Sequence, residues 1–501
     1  MKLIALLLLV ILSATLMGRS AEWFVSTNGN GNGSIGSPWS LQTALINSAL
    51  QPGDTVWLRS GTYFPVSTNA YLNGALGWWA SVAGNSNNPV TYRSYSNEWA
   101  TIDRRWLLTS YVRFRDLEFY DSLKGHNPTN GVGNGGNGPW VHFVQGGRPG
   151  CEWINCVIHD IHNGFTGGAQ ARGCIIWYVG WNEYEHVGYP APANFSGNIS
   201  GWHMALAVNG IVSNAGLPAG SGCNYNIIFG GGQTVTNEQW AEIENAGSTT
   251  MINSNYFYSY LTNNISRPSI SVNMLDNMSA NGNYFAGPYP MQMTISGTNI
   301  SAQWNTAYQD SSASGLMFYL STPSGRYTVN NNRYFCAPPN TAWFVYGGVY
   351  RTTFAQWQAV GLDANSTISN SVAPPDAVYV VPNQDQAKRC HIAIYNWTRK
   401  DNVTVNLSGV LGPGDSYKLY SAQNYNAGPI QSGTFGGSTI TVPMTNLTSA
   451  PILYGTNMNF TSEIPTRPPP TSPEFGAFVV IGSSANSALA PANSLRVLSP
   501  P

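Results

Sequence analysis

A chain of 501 residues in which only 9% are charged, against about 25% in an ordinary soluble domain, must build its polar surface from neutral groups. The net charge of −1 excludes a global basic field for nucleic acid or anionic lipid. Hydrophobic residues at 43% and aromatics at 12% exclude a disordered chain.

Lys2 precedes an apolar run, Leu3 to Leu12, which passes into small and polar residues up to Ala21. That order predicts a secretory signal peptide over residues 1–20, with release into the periplasm or the medium. No later run of about 20 apolar residues occurs, so membrane insertion is not expected. The six cysteines include no CxxC pair, which argues against a thiolate metal site. Buried, unpaired thiols are favoured over one or two bridges.

Next comes Trp23-Phe-Val-Ser-Thr-Asn-Gly-Asn-Gly-Asn-Gly-Ser, a strand and a Gly-rich turn. An amphipathic helix is predicted over 40–50, then Gln51-Pro-Gly-Asp and a second strand ending in Gly61-Thr-Tyr. Beyond it a short unit recurs: Asn or a small residue followed by three mostly apolar or aromatic residues. It begins at Asp116, Asn155, Gly173, Asn198, Asn226, Asn255, Asn283 and Asn332. From Gly173 the steps are 25, 28, 29 and 28 residues, and the last, 49, fits two units. A strand of three or four residues cannot bury an apolar face alone, whereas stacked units bury a continuous column. The expected fold is therefore all-β, a parallel β-solenoid over 21–372 with its helix capping the open end. Stacked asparagines would bond their neighbours above and below.

From about 376 the pattern changes to short alternating strands, among them Ala377-Val-Tyr-Val-Val-Pro, His391-Ile-Ala-Ile-Tyr and Phe475-Gly-Ala-Phe-Val-Val-Ile. A small β-sandwich is expected over 373–482, with a Pro-rich loop at 456–473 and a flexible tail over 483–501. Residues 23–63, with the repeat that follows, resemble the opening of the right-handed parallel β-helix proteins of the pectate-lyase-like superfamily. The resemblance implies a right-handed β-helix. It does not select among lyase, hydrolase, epimerase and binding functions.

Histidine placement points to the chemistry. Six of seven, His126, His142, His159, His162, His186 and His203, fall within 78 residues, and His391 in the sandwich is read as structural. Counted along the repeat, Tyr120, His159, Trp177 and Trp202 form one column, and Asp121, Asp160, Tyr178 and His203 the next. Adjacent rungs lie about 4.8 Å apart, so both columns would run as a stripe beside the long Gly-Asn loop at 125–138. Three chemistries fit. In β-elimination on a uronate polysaccharide, His159, His162, His203, Tyr178 or Tyr189 would be base or acid, and Arg148, Arg172 or Lys124 would neutralise the carboxylate. In hydrolysis, Asp121 and Asp160 would act as a carboxylate pair. In the third, the same two carboxylates would hold Ca²⁺.

Trp177, Trp181 and Trp202 supply flat faces for sugar rings. Residues 173–189 resemble a segment of secreted β-helix proteins in which an Asn-Gly-Trp turn precedes Gly-His-Gly-x-Tyr. Here the elements read Val179-Gly-Trp and Glu185-His-Val-Gly-Tyr, which brings His186 and Tyr189 into the candidate set. The expected partner is a polysaccharide or oligosaccharide bound by a monomer, and the leading reaction is polysaccharide lysis. A glycan-binding or adhesive protein is the non-enzymatic alternative.

Overall fold

The computed structural model describes residues 20–484 except 67, 70–74, 123–143, 146–149, 162–163, 166–168, 180–186, 188–193, 202–221, 231–240, 244–250, 260–269, 275–276, 288, 296–298, 310–315, 321–326, 338–342 and 454–466. Strands dominate, and the α-helices among the described residues are Leu41–Ile46 and Phe354–Gln358. No helix among them is long and apolar enough to cross a membrane.

The opening motif is explained by Asp54. Its buried carboxylate accepts from Ala21 N at 2.7 Å, Trp23 Nε1 at 2.9 Å and Gln51 N at 3.0 Å. This ties the first strand, Glu22–Val25, to its parallel partner Thr55–Leu58. Gly53 beside it takes φ +97°, open to glycine at little steric cost. The helix is shorter than its pattern suggests. Ser40 caps its start by accepting from Thr43 N, and Asn47, extended at ψ 118°, ends it. The Asn47 side chain accepts from Ala49 N at 3.0 Å, an Asx turn that competes with another helical turn.

Three faces of parallel sheet follow. One has eight strands, from Glu22–Val25 to Gly222–Asn224, and single bridges through Met251 and Ser279 carry it to the pair Ile300–Gln303 and Tyr327–Asn330. The second has twelve, from Gly61–Tyr63 to Thr367–Ser369. The third is split into sheets of four and six. Where strands of all three faces are described, the chain visits the faces in turn and returns to each one strand further along. Strand alternation sends Ile228, Phe257 and Phe285 into the central column, while Ile227, Phe229, Tyr256, Tyr258 and Tyr284 point outward.

Between the first two faces every rung from Val112–Arg115 onward turns through a left-handed residue: Asp116, Asn155, Gly173, Gly197, Tyr225, Ser254, Gly282, Trp304 and Asn331. The next residue is buried, and from Asn198 onward it is always Asn. In this ladder Asn198, Asn226, Asn255, Asn283, Asn305 and Asn332 each donate Nδ2 to the following side chain, at 2.8–3.2 Å. The second Nδ2 proton goes to a backbone carbonyl, as from Asn255 to Cys223 O. The 49-residue step is thus two units, with Asn305 between. The repeat start needs correction, however. Asp116, Asn155 and Gly173 are turn residues, whereas Asn198 and its successors are ladder residues one position later. Leu117, Cys156 and Cys174 occupy the ladder position in the earlier rungs. All six cysteines are buried and none forms a disulfide.

The C-terminal region holds a five-stranded antiparallel sheet, including Arg389–Tyr395 and Phe475–Ser483, and a two-stranded one, Asn402–Asn406 with Thr439–Pro443. Ile392, Ile394, Phe478 and Val480 pack between these two sheets with Val405 and Val442. The opposite face, with Ala393, Tyr395, Phe475 and Val479, lies on the outward residues of the twelve-stranded sheet.

Candidate functional site

The expected stripe begins at His159, on the strand Val157–Ile161. Its ring stacks between Tyr120 (centroids 5.6 Å, planes 12° apart) and Trp177 (4.6 Å, 3°). Asp160 takes φ +49° and Tyr178, one rung on, φ +52°. This paired left-handed step breaks strand alternation, so His159 and Asp160 both lie on the outer side. Such strain costs about 1–3 kcal/mol per residue and persists only where surroundings hold it.

The surroundings are the sandwich. His159 Nδ1 bonds Asp160 Oδ2 at 2.6 Å, and Nε2 bonds Glu118 Oε1 at 3.0 Å. Glu118 also accepts from Thr101, Trp99 and, across the domain boundary, Asn426 Nδ2 at 2.6 Å. The other Asp160 oxygen accepts from Leu453 N at 3.0 Å, and Tyr178 donates to Ala450 O at 2.7 Å. Burial opposes charge on the imidazole, but its bonds to Asp160 and Glu118 prevail and push it up to about 9. Burial likewise opposes the Glu118 carboxylate, yet the bonds from His159, Thr101 and Trp99 hold it down at about 2. The trio is therefore a protonated imidazole between two carboxylates, sealed beneath the sandwich.

This placement corrects the expected open stripe. His159, Asp160, Trp177 and Tyr178 are at most 4% exposed and do not line an open cleft. A charged imidazole with both ring nitrogens engaged has none left to abstract a proton. Asp121 pairs with Arg104 at 3.7 Å, while Asp160 is bonded by His159 and Leu453, so each of these carboxylates has partners of its own. No group of three or more His, Cys, Asp or Glu able to hold a metal ion occurs among the described residues. Finally, Trp177 pairs with Gly201, which takes the place in the column that the repeat had given to Trp202.

Arg172 is engaged as well, with Glu152 at 3.0 Å and Asp385 at 3.1 Å. Arg115 donates to the backbone of the same sandwich loop at Asp385. Sequence reasoning missed Glu118, Asp385 and Asn426. No local signal pointed to them, since residues 113–172 carry five basic and five acidic side chains and their charges balance. Lys124, Arg148, His162, Trp181, His186, Tyr189, Trp202 and His203 lie outside the described residues, as do His126 and His142.

Chain order still fixes which strands these residues follow. His126 and His142 follow Glu118–Tyr120, His162 follows Val157–Ile161, His186 follows Ile175–Val179, and His203 follows Ile199–Gly201. Those four strands are consecutive neighbours in the twelve-stranded sheet.

No protein-family model matches the chain, and no curated protein matches it. Among solved structures, it is similar to a GH136 lacto-N-biosidase from Eubacterium ramulus, at 12% identity and a TM-score of 0.38, over 72% of this chain and 68% of that one. It is also similar to a pectate lyase, at 11% and 0.27, over 72% and 80%. A third is a tailspike protein of Escherichia coli bacteriophage HK620 in complex with a pentasaccharide, at 12% and 0.31, over 95% and 87%. With TM-scores below 0.5, these likenesses assign neither a fold family nor a reaction to this chain.

Proposed function

We propose that the protein is an exported carbohydrate-active enzyme on a right-handed parallel β-helix, cleaving a uronate-containing polysaccharide by β-elimination. One observation supports this reading above the rest. The segments leaving one edge of four adjacent strands carry five histidines, with Lys124, Trp181, Tyr189 and Trp202 among them. In this reading those segments bring bases, a cation and aromatic faces from separate parts of the chain to one edge. In this reading one of His162, His186, His203 or Tyr189 takes the proton beside the sugar carboxylate. Lys124 or Arg148 neutralises that carboxylate. The electron pair forms the new C–C double bond, the glycosidic C–O bond breaks, and a second His or Tyr protonates the leaving oxygen. The sandwich serves as a brace, and the buried trio beneath it is structural.

The test is incubation with a panel of uronate polysaccharides, with and without Ca²⁺. Ultraviolet absorbance of the unsaturated product should rise, and His203→Ala or His162→Ala should abolish the rise. New reducing ends without absorbance would overturn elimination in favour of hydrolysis. Binding without either signal would overturn the enzyme reading in favour of a glycan-binding protein.

A further inference from the structure

A second feature lies on the opposite corner of the rungs, where the turn residues run in a row. Asn155 and Tyr225 carry side chains there, but the two residues between them are Gly173 and Gly197. Two side chains are therefore missing from consecutive rungs, and the corner is notched. The notch is needed at Gly173, where a Cβ would lie 2.4 Å from Asn383 Nδ2 and 2.5 Å from Asn155 Oδ1. At Gly197 a Cβ would meet no atom closer than Gly173 N at 4.0 Å, so the space there is open.

The sandwich roofs the notch with Val381–Asp385 and His391, enclosing a cavity of about 150 Å³. That is below the ~300–1,000 Å³ of sites for drug-sized molecules, and of the order of one sugar ring. His391 stands on the face of its strand that looks towards the stack, two residues before Ala393 of the inter-domain cluster. It is 2% exposed, its imidazole bonds the Gly197 backbone, and its Nε2 has no partner. A buried ring nitrogen without a partner is uncommon. The cavity's cation, Arg172, and its acid, Asp385, are bonded to each other, so the remaining wall is neutral: imidazole, carboxamides and the Ser196 hydroxyl. At the mouth stands Tyr225, 45% exposed and held at φ +60°.

From this geometry we infer that the junction is a subsite for a single neutral pyranose unit, with the Tyr225 ring against its C–H face and His391 Nε2 accepting from a hydroxyl. It rests on the carbohydrate reading above but uses none of the residues assigned to the reaction. A uronate is disfavoured, because among the described residues the one cation lining the cavity, Arg172, is already paired with Asp385 and Glu152.

The test is saturation-transfer NMR and calorimetry on the full-length protein with the methyl glycosides of glucose, galactose, mannose and galacturonic acid. At least one neutral glycoside should bind, more tightly than the galacturonide. Tyr225→Gly should weaken it tenfold or more while raising the melting temperature, because glycine relieves the turn. Gly197→Asn, tolerated at positive φ, should fill the notch and also weaken binding tenfold or more. No binding by any neutral glycoside would overturn the subsite, as would binding indifferent to both substitutions. Lyase turnover without glycoside binding removes this site alone, whereas glycoside binding without turnover removes the reaction alone.

Discussion

The sandwich is held to the stack by two unlike halves of one interface. Over the earlier rungs the contacts are directional: Arg172 with Asp385, Asn155 with Asn383 and Gln386, Glu118 with Asn426, and Asp160 with Leu453 N. Over the later rungs they are aromatic: Tyr284 on Tyr395 at 3.9 Å, Tyr258 on Phe475 at 4.7 Å, and Tyr256 on Tyr379 at 4.3 Å. Hydrogen bonds and ion pairs fix where the sandwich sits but return little net stability, since each replaces bonds to water. Ring burial is less particular about position and supplies most of the adhesion.

The sharpest way to break this comparison is in the aromatic half. Tyr395→Ala removes a fully buried ring and its hydrogen bond to Phe257 O, and should cost about 3–5 kcal/mol. Denaturant unfolding would measure the loss, which should not vary between pH 5 and 8. In the charged half, His159→Ala strands Glu118 and Asp160 without their shared cation, at a cost of up to about 3–5 kcal/mol. Here the dependence on pH should be pronounced. The His159 pKa is raised from 6.5 to about 9, so its contribution is complete below pH 6.5 and is lost as pH rises through 9. The Glu118 pKa is lowered from 4.5 to about 2, so its contribution is complete above pH 4.5 and is lost as pH falls through 2. Wild-type stability from this cluster should peak between those limits, and His159→Ala should flatten the profile. A flat wild-type profile would mean that the imidazole is not the charged centre of the trio. The smallest effect is expected inside the stack. Asn255→Ala removes two donated bonds and leaves Asn226 short of an acceptor, a loss of about 2–3 kcal/mol, read by the same unfolding measurement.

The same contrast explains what the sequence disclosed. The periodic parts were legible: recurring Asn and short apolar runs announced stacked strands, and the missing unit in the 49-residue step was found at Asn305. Its phase was misread because Asn155 and Asn198 look alike as letters but differ in backbone, one left-handed and one in the ladder. His159 was singled out as a candidate base or acid. Its partner Glu118, however, lies 41 residues before it, and the Asp160 carboxylate beside it is held by Leu453 N, 293 residues further on. No local pattern connects segments so far apart, so a buried polar cluster at a domain boundary and an open site have the same appearance in sequence. Strand alternation also misled, since the left-handed step at Asp160 placed two neighbouring side chains on one side.

The turn between the eight- and twelve-stranded faces has a further consequence. Along the ladder the rungs differ in length, with spacings of 28, 29, 28, 22 and 27 residues, yet the asparagines stay in line. The chain is pinned at that corner, and its length varies elsewhere around the rung. Such a molecule resembles a spiral binding with one stiff spine: pages of different width can be added or exchanged on the far side without disturbing the spine. Variation elsewhere around these rungs is thereby uncoupled from the packing of the column, so new surface can be tried there while the column keeps its alignment.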